Sequence, residues 1–236
     1  MKLIALIRRL LAGPGQVAPT LLGACDEAAL RTGLALRQAR AGLAAIACGP
    51  EEREDEVLRH ALDQGADRAI RIGDPSLDGV DYHGVARVLA AATRSVGFDL
   101  VLCGDHSDDE GHGAIGPAVA EALGVPHVTA AVDVRLDEGA AIVARRDGAS
   151  VRTLRLKLPL VVAVARSTAK RPGVTLRDGS VIETLTLDEL GILTPELRHR
   201  LRSAGHATPA RKGVGATMLA RPDDLIARLR ADRLLP

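Results

Sequence analysis

The sequence predicts an α/β protein built on a doubly wound, mostly parallel sheet with antiparallel edge strands and a C-terminal arm, and three observations carry that expectation. Short apolar runs alternate with amphipathic helical stretches through the first half of the chain, the pattern of a parallel sheet covered on both faces. Past Pro126 the helical stretches give way to strand-like segments separated by Asp137-Glu138-Gly139 and Arg146-Asp147-Gly148, turn residues that join antiparallel strands. With 236 residues, 47% hydrophobic and 26% charged, the chain can bury one good core, or one core with a small appended domain.

In chain order, Leu3–Ile7 reads as the first strand, since Arg8 and Arg9 stop the apolar run far short of a bilayer span and no small-residue cleavage site follows. A helix is expected over Cys25–Arg40, a strand over Leu43–Cys48 and a helix over Glu51–Gln64. That helix opens with Glu51, Glu52 and Glu54, acids where the helix dipole favours them, and stops at Gly65. Arg68–Ile72 reads as a strand, Tyr82–Val96 as a helix, Phe98–Cys103 as a buried strand, Ala114–Leu123 as a helix and Val128–Leu136 as a strand. Val151–Leu158, VRTLRLKL, has the alternation of a half-exposed strand, and Leu160–Ala165 continues as a second after Pro159. Arg166–Gly179 is polar and turn-rich, Val181–Leu190 follows, Arg198–Val214 reads as a basic arm and Pro222–Arg230 as a short helix. An arm of roughly 20–30 residues with so little apolar content cannot offset ~1–2 kcal/mol of ordering entropy per residue by folding on itself. It meets a partner surface or stays a disordered tail. The expected division is an α/β domain over 1–190 and an arm with its helix over 191–236.

Thirty-one Lys and Arg against 30 Asp and Glu give a formal charge of +1, which offers no broad field for nucleic acid or an anionic membrane. Tyr82 and Phe98 are the only large aromatics, too few for a base-stacking platform. Cys25, Cys48 and Cys103 are odd in number and widely spaced in apolar surroundings, which argues against a disulfide framework and a zinc site and, with no export signal, for the cytoplasm.

The most informative stretch is Val101–Pro126, where a buried strand runs into a glycine- and acid-rich loop that opens a helix near Ala114. Free amides at a helix head suit an anion, and Gly111, Gly113 and Gly116 remove side chains that would hold a ligand off the backbone. The spacing matches neither a Walker loop nor the GxGxxG fingerprint. His106, Asp109, Glu110 and His112 have metal-ligand chemistry, but a loop of this kind is more often a solvated helix cap, and no metal is expected. Ser107 with His106 and Asp108 has the residue types of a hydrolase triad without a GxSxG elbow. No catalytic residue is expected.

These segments resemble the beta subunit of electron transfer flavoproteins, the FixA family. The resemblance runs through LIALIRR, Asp26-Glu27 at the head of the first helix, IACGPEE, HALDQGADRAI, FDLVLCG followed by AIGP, LGVPHVT, TLRLKLPLVVAV, DELGI and RKGVGA, in order. It implies a fold of the adenine-nucleotide alpha-hydrolase or universal-stress type, an alpha-subunit partner holding most of a shared FAD, and a structural AMP in this subunit. The implied nucleotide contacts are Leu6, Asp26, Cys48, Gly104, Asp109, Gly111, His112, Gly113, Ala114, Ile115 and Gly116, at the carboxyl ends of parallel strands where ligands bind. Lys170, Arg171 and Leu176 fall in the stretch that would meet a flavin-dependent dehydrogenase. A quinone reductase or similar acceptor would take the electrons onward.

The chain also departs from the family pattern. The segment after the first strand is short, Gly23-Ala24-Cys25 stands where Asn-Pro-Phe is common, and no aromatic precedes the helix. Asp105-His106-Ser107 replaces an Arg-Gln-Ala or Lys-Gln-Ala sequence, and an acid beside a phosphate is unfavourable by ~1 kcal/mol when hydrated. Ala114 replaces a Gln. The expected function is a heterodimeric electron carrier subunit, not a stand-alone catalyst. The alternative is a homodimeric adenine-nucleotide-binding stress or sensor module without redox work, which would end near residue 140–160 by ordinary domain size, roughly. A bifurcating beta subunit with its own FAD is disfavoured by the short amino-terminal segment.

Overall fold

The computed structural model describes residues 1–10, 22–37, 41–50, 54–109, 111–166, 181–197, 200–201, 218–219 and 221–235. The chain forms two compact units, Met1–Leu201 and Arg202–Pro236.

In the first unit, β1 (Lys2–Leu6), β2 (Gly42–Gly49), β3 (Arg68–Gly73), β4 (Leu100–Gly104), β5 (His127–Asp137), β6 (Ala140–Asp147), β7 (Ser150–Lys157), β8 (Leu160–Val164) and β9 (Ile182–Leu185) make one sheet among the described residues. Its order is β7-β6-β5-β8-β4-β1-β2-β3-β9. Every pairing from β5 across to β9 is parallel, while β5–β6 and β6–β7 are antiparallel. The antiparallel edge thus lies where the turn signals put it. Glu138 and Gly139 both take left-handed φ, 39° and 76°, as a tight hairpin between β5 and β6 requires.

Strand alternation builds a core on each face. Leu3 and Ala5 face α1 (Ala24–Leu36) and α2 (Asp55–Asp63) in a cluster with Ala28, Leu30, Val57 and Leu58. Ile4 and Leu6 face α3 (Tyr82–Val96) and α4 (Ile115–Leu123) in a second cluster with Ala86, Val88, Leu89 and Val119. Each fully buried Leu, Ile or Val contributes about 1.5–3 kcal/mol relative to exposure. The sheet is doubly wound.

Helix ends follow local chemistry. Asp81 caps α3 by accepting from His83 N and Gly84 N, each at 3.1 Å. Gly124 ends α4 in the left-handed region, where its missing Cβ avoids a clash. The helix expected from Glu51 begins at Asp55, with Glu54 at its N-cap, and 51–53 lie outside the described residues.

One strand takes a position that its place in the sequence does not suggest. Leu160–Val164 leaves the antiparallel edge and inserts between β4 and β5, parallel to both. All five of its residues are buried, as an uninterrupted apolar run covered on both faces demands. The first unit also runs past the expected Leu190, since Ile192 and Leu197 lie buried in the second cluster. In the second unit, α5 (Pro222–Ala231) carries Asp223 and Asp224 in its first turn and Arg228 and Arg230 in its last, matched to its dipole. The arm 202–217 and RKGVGA within it lie outside the described residues.

Candidate functional site

β1 and β4 lie side by side, yet the chain leaves β1 through α1 on one face and leaves β4 through α4 on the other. Two connections departing in opposite directions open a crevice at the strands' carboxyl ends, the position where open parallel sheets bind ligands. Arg8, the head of α1 and the loop from Gly104 to Ala114 meet there.

Three acids pin that loop to three elements. Asp105 Oδ1 accepts from Ala130 N in β5 at 2.7 Å, while its own amide donates to Val164 O of β8 at 2.9 Å. Asp108 Oδ2 accepts from Ala24 N at 2.6 Å, at the first residue of α1. Both Asp109 carboxylate oxygens lie 2.7 Å from Arg8 Nη2. Just past Asp109, Gly111, at φ 70°, turns the chain and donates to Ser107 O at 3.0 Å. Cys25 Sγ sits 3.8 Å from His106 Nδ1.

The floor of the crevice is acidic. Asp26 accepts from Arg8 N at 3.2 Å. Burial pushes its carboxyl up to about 7, against the opposing Arg8 amide and guanidinium and Gly104 amide, with Asp109 adding to the rise. Beside it, the hydrogen bond from His60 draws Glu27 down to about 2, with burial opposing and Arg31 assisting. Glu54 is buried against Gly49 at the end of β2 and accepts from Arg9 N at 2.7 Å. Burial raises the Cys48 thiol to about 12 and Cys103 still further, and all three cysteines are free. Among the described residues no group of three or more His, Cys, Asp or Glu is placed to hold a metal ion.

The structure brings Leu6, Asp26, Gly104 and Asp109 around this crevice, with Cys48 one strand away on β2. Gly111, His112, Gly113 and Ala114 continue the loop, and Ile115 and Gly116 open α4. Lys170, Arg171 and Leu176 lie outside the described residues. The sequence reading gives Arg8 only as the end of the first apolar run and Glu54 only as a helix-opening acid, placing neither at the site, and it treats Asp105 as an obstacle to phosphate where the structure makes it an anchor. A charge directly after an apolar run marks a strand's carboxyl end, a signal that points to Arg8.

The electron transfer flavoprotein domain matches residues 17–190, from before α1 to beyond β9 and across the whole loop. The chain belongs to the electron transfer flavoprotein family. It is 28% identical over 218 residues to the electron transfer flavoprotein subunit beta of Bacillus subtilis, covering 88% of this chain and 84% of the relative. Against the beta subunit from Sus scrofa it is 32% identical over 195 residues, 79% of this chain and 74% of the relative. The Mycobacterium bovis beta subunit is 29% identical over 194 residues, covering 77% and 73%.

The structural AMP implied for this flavoprotein subunit does not fit the loop. A Cβ on Gly113 would lie 2.9 Å from Asp105 O, and one on Gly116 would lie 3.0 Å from Cys103 Sγ and 3.2 Å from Ala163 Cβ. Gly104 likewise faces Asp26. These glycines clear space for the protein's own atoms. A phosphate at this loop would meet Asp105, Asp108 and Asp109, and Ser107 Oγ, a buried hydroxyl without a hydrogen bond, does not balance three carboxylates.

Proposed function

We propose that this chain is the beta-type subunit of a heterodimeric electron transfer flavoprotein, a carrier and not a complete enzyme. The observation that carries the reading is the family match through the switch-point crevice, joined to relatives that are all named as beta subunits. FAD, held mainly by an alpha-type partner, supplies the redox chemistry. This subunit supplies a rigid sheet and a docking face at the carboxyl ends of β1 and β4. Lys170, Arg171 and Leu176 meet a flavin-dependent dehydrogenase, and a quinone reductase or similar acceptor receives the electrons. Brief approach of two cofactors suffices for transfer, so a small and transient surface serves.

The stress-type homodimer is the weaker reading. Such a module would close near residue 140–160, roughly, whereas β8 at Leu160–Val164 occupies the middle of this sheet. No helix among the described residues is long and apolar enough to cross a membrane. Co-expression with an FAD-binding alpha-type subunit tests the proposal: a yellow complex containing both chains is expected, and a copurified pair without flavin absorbance, or no pair at all, overturns it.

A further inference from the structure

We infer that the β4–α4 loop takes over the stiffening role of a bound nucleotide, with Asp108 capping α1 from across the crevice and no adenylate in the site. The helix α1 begins after Gly23, which has no side chain to accept from its opening amides. An uncapped helix head leaves its first amides without an intrahelical partner. Asp108 Oδ2 fills that need at 2.6 Å from Ala24 N, and a Cβ on Gly23 would crowd the same oxygen at 3.3 Å. Gly23 and Asp108 are thus two halves of one contact. The glycine admits the carboxylate, and the carboxylate replaces the cap that glycine cannot make.

The neighbouring acids complete the latch. Asp109 closes on Arg8, which extends from β1, and Asp105 closes on Ala130 of β5. One loop therefore ties together β1, α1 and β5 through side chains already present, and β8 through the Asp105 backbone amide. A phosphate binding where these carboxylates sit would have to displace them and then face their charge.

The test uses the purified full chain and is independent of flavin. Ligand released on denaturation is analysed by mass spectrometry, and thermal unfolding is followed with and without about 1 mM AMP. A site with a dissociation constant a hundredfold below that concentration would raise Tm by about 5–10 °C. The inference expects no stoichiometric adenylate and no upward shift. It also expects Asp108→Ala to lower Tm by about 2–8 °C, the loss of one helix cap, and Asp108→Asn, which keeps an acceptor oxygen, to retain most of it. Stoichiometric AMP in the released fraction, a clear rise in Tm on adding AMP, or an Asp108→Ala protein that melts like the wild type would each overturn it.

Discussion

Gly104, the last residue of β4, and Asp26, in the first turn of α1, leave no room for a carbon between them. A Cβ on Gly104 collides with Asp26 Oδ1 and stops 3.0 Å from Asp26 N. The head of α1 therefore rests directly on the end of β4. Gly104→Ala must push the helix or the strand aside, an overpacking cost of about 1–3 kcal/mol. Relief through Asp26 is limited, because its other oxygen already accepts from Arg8 N. Urea unfolding should show a lowered midpoint with an unchanged slope. A midpoint equal to that of wild type would contradict the contact.

Gly111 is a contrasting case. Nothing lies within 4 Å of a Cβ placed there, so only its left-handed φ of 70° resists a side chain. Gly111→Ala should cost about 1–2 kcal/mol through backbone strain alone. Gly111→Asn, which tolerates that region better, should cost less. Equal losses for Ala and Asn in the same urea titration would argue for a different cause.

How much of this was legible in the sequence depends on what each residue answers to. The strands β1 to β4 and the two hairpins were readable because alternation, apolar runs and turn residues are local signals. The place of β8 was not, because LVVAV pairs with β4 and β5 through a crossover that sequence order conceals. In the site, the loop and the strand ends were readable, and the reason for the glycines was not. Gly113 and Gly116 look open in sequence, yet each is backed by atoms from another segment, Asp105 O in one case and Cys103 and Ala163 in the other. The roles of Asp105 and Asp108 depend equally on distant amides, Ala130 and Ala24.

Two adjacent carboxyls of α1 should give stability opposite pH slopes. Burial raises Asp26 to about 7 from 3.8. Between roughly pH 4 and 7 the folded protein holds a proton that the unfolded chain has released, so its contribution falls as pH rises and levels off above about 7. Asp26→Asn should remove that decline. Glu27, drawn down to about 2 by His60 and Arg31, contributes stability that is full above about 4.5 and is lost as pH falls towards 2. His60→Gln should shrink that acid-side loss. Tm measured from pH 3 to 8, on the order of one reading per unit, separates the two, and an Asp26→Asn profile parallel to wild type would exclude the buried proton.

Asp81 joins the head of α3 to the end of the first unit. Its Oδ1 accepts from His83 N and Gly84 N, and its Oδ2 accepts from Arg200 N at 2.6 Å and Leu201 N at 2.9 Å. Burial opposes the charge, but these four amides prevail and hold the carboxyl below its ordinary value. Its contribution is therefore present above about pH 4 and lost as pH falls through the depressed value. Asp81→Ala removes both oxygens, costing about 0.5–2 kcal/mol for the cap and releasing the segment at Arg200 and Leu201. Asp81→Asn retains one acceptor oxygen, which can serve α3 or the terminal amides but not both pairs. Trypsin digestion reads the second effect separately, because cleavage after Arg200 requires that segment to leave the surface. The expected order of cleavage rates is Ala above Asn above wild type. If both variants are cut at the wild-type rate while Asp81→Ala alone melts lower, then Asp81 caps its helix and does not tether the end of the unit.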